Sequence, residues 1–203
     1  MKLLGLKKTA TKYGIFWIPN EELNLFVESW KNRIRNVEPD AVYLSHPVHS
    51  TIFLFNGFEE DQSEIITIIK NSKINFLLEG WIVFENDLVT NADTLAIGLK
   101  PSIIASEFQI IVATSLLRFV QKPIFYKHSW EGAYKESIQK YGFPFVGGHW
   151  IPHLTIASVK NDGKTLIEEA KLSKIILNKE HLEGQIALYK ISGENHQHLY
   201  TWN

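Results

Sequence analysis

The chain has 203 residues, 45% of them hydrophobic and 21% charged, with a formal net charge of -1 and no cysteine. That length can bury a sizeable core as one large domain or as two small, intimate lobes. Near-neutral charge excludes a broad basic surface for nucleic acid, and the lack of cysteine excludes thiolate nucleophiles, disulfides and zinc knuckles.

Residues 1–10 place lysines around Leu3-Leu4-Gly5-Leu6, a run too short for a signal-peptide core. No stretch reaches the roughly 18 to 20 apolar residues of a membrane helix, so a cytoplasmic protein without a membrane partner is expected. Residues 14–19 read as a short buried strand. Asn20 then caps a helix, with Glu21 and Glu22 in its first turn and Leu23, Phe26, Val27, Trp30 and Ile34 at helical spacing. Residues 48–55 are β-branched and aromatic and read as a strand. Residues 59–72 return to helical spacing. Residues 76–84 and 94–99 read as strands joined through Glu85-Asn86-Asp87. Pro101 opens a helix over 102–120, where Ile103, Ile104, Phe108, Ile111, Val112, Leu116 and Leu117 form an apolar core stripe. Residues 122–148 read as an irregular connection with a short helix near 134–141. A strand over 151–159, a helix over 165–172 and a hairpin of 182–191 with 198–202 complete the chain.

The chain also matches itself. A shift of 104 residues, without gaps, lays His49, Thr51 and Ile52 on His153, Thr155 and Ile156. It lays Glu64 on Glu168, Lys70 on Lys174, Leu78-Glu79-Gly80 on Leu182-Glu183-Gly184, Ile82 on Ile186 and Leu95 on Leu199. Two βαβ units of similar length could align by accident, but a match this long favours duplication. The expected organisation is one domain over 1–203, made of two intertwined lobes with a repeat pairing 49–99 and 153–203.

In a strand, residues i and i+2 share a face. His49-Ser50-Thr51 and His153-Leu154-Thr155 therefore each present an imidazole beside a hydroxyl. If a pseudo-two-fold axis relates the halves, both pairs converge on one cleft. One imidazole can take a proton from an attacking oxygen while the other gives one to the leaving oxygen. The threonine hydroxyls can donate to the non-bridging oxygens of a phosphate, where transition-state charge gathers. This chemistry needs no metal, cofactor or covalent intermediate. It leaves open which histidine is the base.

These motifs, Val48-His49-Ser50-Thr51-Ile52-Phe53-Leu54-Phe55 and Pro152-His153-Leu154-Thr155-Ile156-Ala157, resemble the paired motifs of the 2H phosphoesterase superfamily, which includes 2′-5′ RNA ligase-like proteins and cyclic nucleotide phosphodiesterases. The first departs mildly, with Ser50 where the family carries an apolar residue. The resemblance covers nearly the whole chain. It implies a bilobal, duplicated α+β fold with pseudo-two-fold symmetry, two antiparallel sheets lining a central groove and helices outside. It implies a phosphodiester hydrolase for 2′,3′-cyclic phosphates or 2′-5′ linkages of nucleotides or RNA ends, with 2′-5′ ligation as the reverse reaction. By position, His49 and His153 would be catalytic, and Thr51 and Thr155 would bind phosphate.

Other readings compete. His46 and His149, close before the motifs, could join a metal site, but no Asp or Glu accompanies them locally. Groove-mouth loop positions explain them as well. His128, His181, His196 and His198 carry no constellation and read as surface or turn residues. Tyr43, Phe145 and Trp150 lie near the motifs and are candidates for stacking on a base, though packing is the favoured reading of each. Glu79 and Glu183 read either as orienting groups near the groove or as a solvated sheet face. The chain has no P-loop and no other mark of an ATP site. A non-catalytic module holding a nucleotide or RNA end on the same fold is the alternative function. Intact His and Thr in both motifs favour the enzyme, with no obligate protein partner and a monomeric state.

Overall fold

The computed structural model describes residues 9–69, 73–121, 130–177 and 181–202. The chain opens with β1 (Thr11–Pro19), α1 (Glu21–Val37), β2 (Ser50–Gly57), α2 (Gln62–Ile68), β3 (Phe76–Asp87) and β4 (Ala92–Pro101). It continues through α3 (Ile103–Ser115), α4 (Gly132–Tyr141), β5 (His153–Val159), α5 (Lys164–Leu172), β6 (His181–Leu182), β7 (Gly184–Ser192) and β8 (Asn195–Trp202). The first turn of α1 forms as its sequence signals require: the Asn20 side chain accepts from the Leu23 N–H at 3.1 Å, and Glu21 and Glu22 sit where the helix dipole favours acids.

The strands divide into two antiparallel sheets, ordered β2-β1-β7-β8 and β5-β4-β3-β6. The two match in their first two places. Each has a His-x-Thr strand at one edge, then the strand that precedes it through a helical connection. Third comes β7, from the far end of the chain, in the first sheet and β3, the hairpin partner of β4, in the second. The edge strands β2 and β5 touch, α1 packs against β5, and α3 packs against β2. Each helix thus reaches across to the other sheet, and the two motif strands are covered rather than left as open edges. Glu38, at the end of α1, adds a tether: its carboxylate accepts from the N–H groups of Lys160, Asn161 and Gly163 at 2.8, 3.1 and 3.1 Å.

Gln109 is the strongest polar tie behind the motif strands. It is fully buried on α3. Its Nε2 donates to the carbonyls of Ile52 and Phe145 at 3.1 and 3.0 Å, and its Oε1 accepts from the Gly147 N–H at 3.0 Å. Gln109→Leu leaves three backbone groups without that partner. It should destabilise the fold by about 2–4 kcal/mol, read as a lower urea midpoint at unchanged m-value.

The Leu-Glu-Gly repeats mark backbone irregularities. In β3, pairing with β4 slips between Leu78 and Gly80, and Gly80 has φ +115°, a conformation L side chains rarely adopt. At the second copy the chain changes sheets: Leu182 pairs with Phe76 in one sheet, and Gly184 pairs with Pro19 in the other. A Cβ on Gly184 would lie 2.2 Å from the Ile18 carbonyl oxygen, so only glycine allows that approach.

Several expectations change. The strand expected over 182–191 is two strands in different sheets. Pro101 ends β4, and Ser102 is the true cap of α3, its Oγ accepting from the Ala105 N–H at 3.1 Å. The helix expected over 102–120 stops at Ser115, followed by a 3₁₀ turn over Leu117–Phe119. Its expected core stripe is split. Phe108, Val112 and Leu116 are buried, but Ile103, Ile104 and Ile111 are 78%, 59% and 61% exposed. Apolar residues stand on both faces of this helix, with Ile103, Ile104, Ile110 and Ile111 all on the exposed one, so apolar spacing alone did not single out the packed face. The helix expected over 59–72 begins as a 3₁₀ turn, Glu59–Asp61, before α2. Lys70, His128 and the side chain of His181 lie outside the described residues.

Candidate active site

Both motif strands break register at the same step. β1 pairs Phe16 with Thr51 and Ile15 with Phe53, leaving Ile52 as an extra residue. β4 pairs Ala96 with Thr155 and Leu95 with Ala157, leaving Ile156 extra. Such bulges kink a strand and re-aim its side chains. Before each bulge, strict alternation holds. His49, Thr51, His153 and Thr155 are half-buried, while Ser50, Ile52, Leu154 and Ile156 are buried. Ser50, where the resemblance implied an apolar residue, sits fully buried, and its hydroxyl meets no partner among the described residues.

All four motif residues line one cleft of about 520 Å³. Each imidazole is held by the same local bond. His49 Nδ1 lies 2.7 Å from the Pro47 carbonyl oxygen, and His153 Nδ1 lies 2.7 Å from the Ile151 carbonyl oxygen. A carbonyl can only accept, so Nδ1 donates in both, and Nε2 is left for a ligand. No hydrogen bond to another described side chain engages either threonine hydroxyl.

The two histidines differ in their surroundings. Burial pushes the His49 pKa down to about 3; its Pro47 bond opposes this, and His196, His46 and Lys31 add to it. Burial also lowers His153, but there the Ile151 bond and the Asp87 carboxylate act upward. Asp87 is fixed on the β3–β4 turn, accepting from Thr94 Oγ1 at 2.7 Å and from the Val89 N–H at 2.9 Å. The Phe16 ring stacks on His49 at 3.8 Å between centroids and 26° between planes. Gly14 makes room for it, since a Cβ there would lie 2.3 Å from the Phe16 ring.

Of the aromatic candidates, Tyr43 and Phe145 line the cleft. Tyr43 is held at φ 75°, its ring edge-on to His46 at 5.1 Å, and burial with nearby Asp87 pushes its hydroxyl up to about 12. Trp150 takes the packing role. It is not part of the lining: its Nε1 donates to the Thr51 carbonyl at 2.8 Å and its ring packs edge-on to Phe76, so it braces β2. Glu79 and Glu183 are exposed and away from the cleft lining, on the solvated face.

Sequence reasoning missed Lys12, Phe16, Asp87 and His196. His196, read as a surface or turn residue, lines the cleft with its ring 4.3 Å from His46 and 5.6 Å from His49. No spacing rule relates residues 46, 49 and 196; only the position of the β7–β8 hairpin brings them together. His46 and His149 do not share a site, since His46 packs with Tyr43 and His196 while His149 packs with Tyr134. Among the described residues, no three His, Cys, Asp or Glu side chains are grouped as a metal ion would require. No helix there is long and apolar enough to cross a membrane.

Two antiparallel sheets stand about a groove, with a His-x-Thr strand at one edge of each. Among solved structures the chain resembles E. coli LigT complexed with 3′-AMP, with a TM-score of 0.55 and 10% identity over 96% of this chain and 98% of that one. It also resembles a structure described as a phosphoesterase, with a TM-score of 0.51 and 11% identity over 95% and 97% of the two chains. Usb1 of Kluyveromyces marxianus gives a TM-score of 0.50 at 13% identity over 93% and 97%. At such identities the likeness is one of fold. No family sequence model and no curated protein sequence matches the chain.

Proposed function

We propose that this protein is a metal-independent phosphoesterase of the 2H type, hydrolysing 2′,3′-cyclic phosphates or 2′-5′ phosphodiester bonds of nucleotides or RNA ends. The observation that carries the reading is the matched pair of imidazoles. Each is fixed through Nδ1 to the carbonyl two residues earlier, and each lines the same cleft beside a threonine with no side-chain partner among the described residues. The likeness in fold to LigT, solved with 3′-AMP and with phosphate, supports a nucleotide substrate. The chain is read as one duplicated domain that works as a cytoplasmic monomer.

In this reading His49 is the base and His153 the acid. Burial, with the Lys31 ammonium adding to it, keeps His49 neutral, with its Nε2 lone pair available. Asp87 favours the protonated form of His153. A bound phosphate anion raises both pKa values, and His153 can then hold the proton it must deliver. His49 Nε2 removes a proton from water as the new O–P bond forms. The opposite P–O bond breaks, and its electron pair takes the proton of His153 Nε2. Thr51 and Thr155 donate to the two non-bridging oxygens. With a ribose 5′-hydroxyl in place of water, His49 removes its proton as the new O–P bond forms to a 2′,3′-cyclic phosphate, the P–O bond to the 3′-oxygen breaks, and that oxygen takes the proton of His153, which gives 2′-5′ ligation.

A panel of nucleoside 2′,3′-cyclic phosphates, 2′-5′ oligoadenylates and RNA ends, assayed with chelator present, tests this directly. Turnover of one substrate class that survives chelation is expected. No turnover of any, with tight binding of a nucleotide, would favour the non-catalytic module instead.

A further inference from the structure

Beyond His49 the cleft continues past Lys12, His46 and His196, which the proton chemistry above does not use. Lys12 stands on β1 on the same face as Gly14 and Phe16. Burial lowers its pKa, and no acid among the described residues pairs with it. Three carboxylates in this part of the molecule are already engaged: Glu194 accepts from Ser45 Oγ at 2.9 Å, Glu28 pairs with Lys31 at 3.5 Å, and Glu59 pairs with Lys190. Behind the corner, the buried Lys31 donates to the His46 carbonyl and adds positive charge. His196 Nδ1 donates to the Glu194 carbonyl at 3.0 Å, which leaves its Nε2 for a ligand. A half-buried lysine without a counter-ion, beside two imidazoles, is costly unless an anion joins it.

We infer that Lys12, His46 and His196 form a second phosphate subsite beside the reacting centre, so that the preferred substrate carries a phosphate besides the scissile one. The inference rests on the phosphoesterase reading for where the scissile group lies. The spacing fits, because the His196 ring is close to both of the others, 5.6 Å from His49 and 4.3 Å from His46. One phosphate can meet His49 and His153 while its neighbour on the same ribose, or on the next nucleotide, meets Lys12. Lysine supplies a point charge, and the imidazoles supply directional donors once the anion draws protons onto them.

Calorimetric titration of the full chain tests this without relying on turnover. The ligands are adenosine 3′-monophosphate, adenosine 3′,5′-bisphosphate and the dinucleotide ApAp. At least one two-phosphate ligand should bind about tenfold tighter than the monophosphate, as one charge-assisted contact pair supplies. The bisphosphate being tighter assigns the subsite to a terminal phosphomonoester; ApAp being tighter assigns it to an internal RNA phosphate. Lys12→Gln and, separately, His196→Gln should bring that ratio toward one, with residual 3′-monophosphate binding reporting a folded cleft. Equal binding of all three ligands, or a ratio unchanged in both variants, overturns the second subsite alone. No binding of any ligand overturns both it and the phosphoesterase reading.

Discussion

His49→Ala and His153→Ala should each lower kcat/KM for the accepted cyclic phosphate or 2′-5′ dinucleotide by about 10²–10⁴, the range that a positioned acid or base contributes. The two proton transfers act as a unit, so losing either residue disables both and the double variant should be little worse than either single one. The pH profile separates the roles. A base must be unprotonated, and burial holds His49 down to about 3, so activity should persist as pH falls well below the ordinary histidine range. An acid must be protonated, and His153 is also lowered, so the alkaline limb of kcat/KM should fall below pH ~6.5, the unperturbed histidine value. The expected bell therefore lies on the acid side of neutrality. In Asp87→Asn the His153 proton loses its supporting charge, and the alkaline limb should move lower still while the acid limb stays. A wild-type profile centred above neutrality, or full activity in either alanine variant, would sink the assignment.

Thr51→Val and Thr155→Val should each cost on the order of 10²–10³ in kcat, the loss seen when one donor to a developing oxyanion is removed. Valine keeps the β-branched shape of the strand, so the change isolates the hydroxyl. No hydrogen bond to another described side chain engages either hydroxyl, so their removal should leave the thermal midpoint within about 2–4 °C. KM should change less than kcat, because the hydroxyls meet more charge in the transition state than in the ground state. Thr→Ser at either position should recover most of the loss. Equal effects on kcat and on stability would mean that the threonines are structural.

Much of the fold was legible because local rules matched tertiary demands. Asn20 with its acidic first turn marked α1, and His49, Thr51, His153 and Thr155 had the two-residue spacing that puts them on one strand face. Where several placements satisfied the same local pattern, sequence reasoning stopped. Helix α3 had two apolar faces available, and Trp150 had a base or the Phe76 ring and the Thr51 carbonyl to choose between.

The sequence by itself determined the two imidazole–hydroxyl pairs, because a strand's period of two is a property of the backbone. It also determined where Leu-Glu-Gly recurs, though not why. Only the tertiary structure decided that Gly80 and Gly184 serve a left-handed step and a crossing between sheets. Only it decided that Ile52 and Ile156 are both bulged, and that Asp87 attends one histidine while His46, His196 and Lys31 surround the other. Those neighbours come from hairpins and loops far apart in the chain. Their electrostatic effect depends on distance in space, so the two motifs look alike in sequence while their histidines stand in unlike fields.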